Sequence, residues 1–175
     1  MKSKLQNIVV LLIVATNSFA QSPSWVWARS GGSVSYDYCN ASCADANGNV
    51  YITGTFQGSS IVFGNDTLHN NATGSLAVFI AKYDANGNAL WARRGGGTSD
   101  DYTYGICTDA SNNVFIEGYS GSPSITFDTV TLTNSGIVQV FIVKYDSLGN
   151  VQWGKNGKGV NSFGWGICRS EEHTS

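Results

Sequence analysis

Two blocks of this chain recur at a fixed distance, and that recurrence restricts the possible folds more than any other property. Phe79 to Gly96, FIAKYDANGNALWARRGG, returns as Phe141 to Lys158, FIVKYDSLGNVQWGKNGK, identical at 9 of 18 aligned positions. Asp45 to Gly54, DANGNVYITG, returns as Asp109 to Gly118, DASNNVFIEG. Trp27 to Trp91 and Gly54 to Gly118 are each 64 residues apart, and Trp91 to Trp153 is 62. A period of this kind means one supersecondary unit used several times.

Within each period, apolar and polar residues alternate along short runs such as Val50 to Phe56 and Phe79 to Tyr83. The runs are joined by Asp-x-Asn-Gly-Asn segments. Asp and Asn initiate such turns, and Gly or Asn accepts the positive φ near their end. Asp45, Asp84, Asp109 and Asp146 head the four turns. Each period therefore predicts four antiparallel strands in two hairpins. Between the hairpins lies an insert, 57–78 and 120–140, with an apolar pair in each copy: Phe63 and Leu68, then Phe127 and Leu132. It predicts an extra short hairpin plus a loop. Ser24 to Arg29 predicts a further strand ending at Gly31-Gly32, equivalent to the Trp91 and Trp153 strands.

Such a four-stranded sheet cannot cover both of its faces alone. Radial stacking around an axis covers them and leaves only short edges. The expected fold class is all-β: a β-propeller fragment of four-stranded antiparallel blades with a period of 62–64 residues, about two complete blades plus flanking strands. An open solenoid of stacked hairpins is the rival. A leading Trp strand favours a closed ring, because it would complete a final blade.

Residues 1–20 predict a signal peptide. Lys2 and Lys4 precede an apolar run too short to span a bilayer, and Ser18 and Ala20 set a cleavage site between Ala20 and Gln21. Residues 21–168 are the propeller repeats. Residues 169–175, RSEEHTS, match the translation of a sequencing adapter and are read as a non-native tail. The chain carries 10 Lys or Arg against 12 Asp or Glu, with no basic cluster, so a nucleic-acid surface is not expected. No membrane insertion is expected once the signal peptide is removed.

GNVYITG, FIAKYDANGNALWARRGG and their second copies resemble the bacterial secreted β-propeller repeat family (seven-bladed β-propeller type repeats). The resemblance covers nearly all of Trp25 to Cys168. It implies a secreted or cell-surface protein, in a family whose members often end in a type IX secretion sorting domain. The function expected is non-enzymatic: a binding, adhesion or scaffold module for an extracellular protein or glycan. The alternative is the N-terminal part of a secreted hydrolase or lyase whose active site lies in further blades.

Candidate chemistry is thin. The Asp-x-Asn-Gly-Asn loops suggest calcium, but calcium prefers about six to eight oxygens with a distant bidentate carboxylate. No Glu follows at that spacing, so structural turns are expected, with no metal and no cofactor. Cys43, Cys107 and Cys168 are repeat equivalents. Cys39 and Cys43 lie about 13 Å apart on one strand, too far to bridge. All four are expected as small, buried, unpaired thiols. His69 is the lone histidine outside the tail, and Asp residues repeated in each blade serve the blade. No catalytic residue is expected. Trp27, Trp91 and Trp153 are expected between blades, and Gly54 and Gly118 as structural repeat positions. Asp66-Thr67-Leu68, Asp128-Thr129-Val130 and Asp146-Ser147-Leu148 resemble an O-glycosylation acceptor of secreted proteins, which marks Thr67, Thr129 and Ser147. The first two triplets stand at the same relative place in their inserts.

Overall fold

The computed structural model describes residues 26–72, 74–159 and 161–168. The signal segment, its Ala20/Gln21 cleavage point, Trp25 and the tail 169–175 lie outside the described residues. In chain order the strands are β1 (Asp37–Ala44), β2 (Val50–Phe56), β3 (Ser60–Phe63), β4 (Asp66–His69), β5 (Ala77–Tyr83) and β6 (Ala89–Gly96). The second period repeats them as β7 (Asp101–Thr108), β8 (Val114–Ser120), β9 (Ser124–Phe127), β10 (Val130–Thr133), β11 (Gln139–Tyr145) and β12 (Val151–Asn156). Among the described residues there is no helix.

Each period folds as one propeller blade. β1-β2-β5-β6 and β7-β8-β11-β12 are meanders of four antiparallel strands, and β3–β4 and β9–β10 are the predicted hairpins between second and third strands. Alternation sets the registers. Tyr51 and Thr53 on β2, with Val114 and Ile116 on β8, point inward, and a slip of one residue would expose them. The first two strands of one blade, β1 and β2, pack on the first strand of the next, β7. One core then runs through both sheets, from Tyr51, Val78 and Ile80 to Val114, Phe127, Phe141 and Tyr145.

The inserted hairpins fill the wedge that opens where radial sheets diverge. β9–β10 stands between the outer strands, with β9 beside β6 and β10 against β12. Phe127 is fully buried and packs 5.0 Å from Phe141. The sheet order differs from the expectation of separate four-stranded blades in one respect. β9 also hydrogen-bonds to the end of β6, through Gly95↔Phe127 and Gly96↔Thr126, so the first sheet has six strands. Gly95 permits this, because a Cβ there would lie inside the Phe127 ring.

The segment 26–32 makes the same contacts one period earlier without forming a strand. Gly31 backs on Phe63 as Gly95 does on Phe127. The fourth strand β6 is held by β5, and among the described residues no equivalent of β5 flanks 26–32. Of the strand expected at 24–29, residues 26–29 form none and are held by side chains, and 24 and 25 lie outside the described residues.

Candidate functional site

The four turn carboxylates close their turns in the same way. Asp45 Oδ1 accepts the Asn47 and Asn49 amides at 2.9 and 3.0 Å, and Oδ2 accepts the Asn49 side chain at 2.8 Å. Asp84, Asp109 and Asp146 repeat this with Asn88, Asn113 and Asn150. Gly48, Gly87 and Gly149 supply the positive φ, and Asn112 takes it at 60° in the remaining turn. The Asp oxygens are thus engaged by N–H donors that close the turn. In Asp45 and Asp109, desolvation pushes the carboxyl up, but the Asn49 and Asn113 hydrogen bonds outweigh it and hold both below the usual range.

Asp45 has a second role between strands. Its Oδ2 accepts the Tyr51 hydroxyl at 3.0 Å and lies 3.9 Å from Lys82 Nζ. Lys82 sits over the Tyr51 ring and donates to the Ser147 carbonyl of the next blade at 3.2 Å. The second period keeps the pair as Lys144 and Asp109 at 3.6 Å, with Phe115 in place of Tyr51. Lys82 was not singled out from sequence, although it stands in the repeated Lys-Tyr-Asp.

Trp91 and Trp27 are pegs between successive repeats, whereas Trp153, expected in the same role, has no such contact among the described residues. Trp91 stacks on Tyr145 and donates to the Ser147 carbonyl at 3.2 Å, with its ring under Gly149. Trp27 makes the same set with Tyr83, the Ala85 carbonyl at 3.0 Å and Gly87. Trp153 meets Phe115 of its own blade and is 36% exposed. Gly54 and Gly118 face a bulge in the first strand of their own blade, at Cys39/Ala41 and Thr103/Gly105. The bulge leans the Tyr38 and Tyr102 carbonyls onto the two glycines.

Thr67 and Thr129 are exposed, whereas Ser147 is half-buried in its turn. The two Thr positions are not equivalent. Phe63 pairs with Asp66 around Gly64-Asn65, and Phe127 pairs with Val130 around Asp128-Thr129. Thr67 therefore lies on β4, and Thr129 in the turn. The buried Phe and Leu fix the register, and the left-handed first turn residue is Gly64 in one hairpin and Asp128 in the other. Asp66 is engaged by the Ala92 amide at 2.7 Å.

The cysteines are less buried than expected. Cys39 and Cys168 are exposed, and Cys43 and Cys107 are half-buried. All lie on first strands or their equivalent, and the outer sides of β1 and 161–168 have no neighbouring blade among the described residues. Burial pushes the Cys43 thiol up to about 12, with the charges of Cys107 and Asp45 adding to it.

Two further acids, Asp101 and Glu117, are buried. Asp101 is fully buried and accepts the Gly97 amide and the Ser120 and Ser122 hydroxyls. Burial nevertheless pushes it up. Glu117 on β8 is 8% exposed, and neither carboxylate oxygen closes a hydrogen bond. Burial raises it, and the nearby Gly166 amide lowers it only partly. A carboxyl with a raised folded pKa stabilises fully below its unfolded value, and that contribution is lost as pH rises through the folded one. Wild type minus Glu117→Gln stability should therefore shrink as pH rises above about 4.5. Parallel urea melts at several pH values measure it, and a difference independent of pH would refute a Glu117 carboxyl raised by burial.

The chain is similar to a WD-repeat protein. This is an uncharacterized WD repeat-containing protein, L264, of Acanthamoeba polyphaga mimivirus, 34% identical over 122 residues. The match covers 62% of this chain and 9% of that protein's length. A scan against protein-family models finds no match. The similarity points to a propeller-type repeat, in agreement with the blades described above.

Proposed function

We propose that this chain belongs to an exported β-propeller of the bacterial secreted repeat type, acting as a non-enzymatic scaffold that presents loops and rims to an extracellular protein or glycan. The observation that carries this reading is where the repeated polar residues go. Asp45, Asp84, Asp109 and Asp146 close turns, Lys82 and the Trp91 indole bind the next blade, and Asp101 holds a loop. Residues repeated in this way serve the blade, and no nucleophile–base pair is assembled among them. The WD-repeat relative supports the propeller on which the reading rests.

Exposed Thr67 and Thr129 are the proposed glycan acceptors on the insert hairpins. Expression in a host with a type IX system should yield protein in the medium that begins at Gln21. Intact-mass analysis should show sugar that is lost in Thr67→Ala and Thr129→Ala. Unprocessed protein retained in the cytoplasm would overturn the export reading. Binding of the full-length protein to a panel of matrix proteins and polysaccharides tests the scaffold role, and turnover of any of those polysaccharides would favour the hydrolase or lyase.

A further inference from the structure

Repeats of one pattern raise a problem of order, because an outgoing blade face could accept more than one copy of the next first strand. Thr53 of β2 meets Thr103 of β7, both fully buried, with hydroxyl oxygens 3.0 Å apart. Thr53 also donates to the Phe79 carbonyl at 2.7 Å.

The following interface uses the same two positions differently. Trp165-Gly166-Ile167-Cys168 repeats Tyr104-Gly105-Ile106-Cys107, so Gly164 stands where Thr103 stood. Glu117 stands where Thr53 stood, one period on. The segment 161–168 lies across the outward face of the second blade, with Trp165 on Tyr104 at 5.1 Å and Phe163 on Tyr119 at 4.9 Å. The Glu117 carboxylate fills the place where a Cβ on Gly164 would lie, and Val140 closes it from another side at 2.9 Å. The Gly164 backbone is outside the left-handed region, so space, not conformation, demands glycine there. A large residue on one side is matched by the smallest on the other.

We propose that Glu117 and Gly164 form a specificity pair that addresses the outward face of the second blade to the segment Asn161–Cys168 of this chain. A copy with a side chain at that position, such as the Thr103-bearing first strand, is rejected. The device works by steric exclusion of the wrong repeat as well as by fit to the right one. Thr53 and Thr103 are the corresponding pair one interface earlier.

The test uses the whole chain and hydrogen exchange of the 161–168 amides, with the β7–β8 amides as an internal measure of folding. Gly164→Thr should lower protection across 161–168 by about tenfold or more, the cost of overpacking a closed contact. Glu117→Thr with Gly164→Thr should return protection close to wild type, because it recreates the Thr53–Thr103 contact. The mirror pair supplies a second reading: Thr53→Glu should loosen the contact between the blades, and Thr103→Gly should restore it. Unchanged protection in Gly164→Thr, or a double variant no better than the single one, would overturn the proposal.

Discussion

Gly118→Ala should destabilise the protein by about 3 kcal/mol, at the upper end for overpacking by one methyl. The obstacle is main chain. A Cβ on Gly118 would land on the Tyr102 carbonyl, with the Tyr102 carbonyl carbon and Thr103 Cα both at 2.8 Å. No side chain can swing away to admit it. Relief requires the bulge between Thr103 and Gly105 to flatten, which would shift the register of β7 against β8. That register places Thr103 and Ile106 in the core, so the damage would spread to the blade interface. Gly54→Ala meets the Tyr38 carbonyl in the same way and adds the Phe79 ring at 2.9 Å. For a chain of this size, such a loss lowers the melting temperature by roughly 10 °C. Thermal melts of both variants should show it. A change under about 1 kcal/mol in either would mean that the bulge relaxes freely.

These two glycines show how far the repeat could be read from sequence. Recurrence at 64 residues marks them as structural, but spacing does not show that a bulge opposite makes glycine necessary. The turns were legible in more detail, because their chemistry is local. Asp at the start and Gly48, Gly87, Asn112 or Gly149 near the end act within five residues, and the structure closes all four alike.

Long-range pairing was less legible. The join of β9 to β6 depends on Gly95 lying under Phe127, a contact between different blades that no pattern within either segment encodes. The Asp-Thr triplets aligned by residue type, yet burial of Phe63, Leu68, Phe127 and Leu132 set the hairpin registers and moved Thr67 two positions from the equivalent of Thr129. Glu117 did leave a signal in the sequence, as the charged residue where the first copy has Thr53. Its importance appears only with the Gly164 backbone placed against it.

Trp91→Ala should cost about 3–5 kcal/mol, the range for removing a buried large aromatic, while Trp153→Ala should cost far less. Trp91 is 7% exposed and reaches across the blade interface: its ring stacks on Tyr145, lies beside Tyr51, and sits under the Gly149 turn. The indole also donates to the Ser147 carbonyl, and Arg93 packs on the ring while bonding the Gly149 carbonyl at 2.9 Å. Removing it leaves a cavity walled by two different sheets, which cannot collapse without moving one blade against the other. Trp153 has the same place in its own blade, but at 36% exposed its ring contact is Phe115 alone among the described residues. The two sites share a residue type, a strand position and a blade meander, so their difference isolates what the neighbouring blade contributes. Urea melts of the two single variants and the double measure that difference. Equal losses at both sites would place the tryptophan's contribution within its own blade and remove the peg between blades.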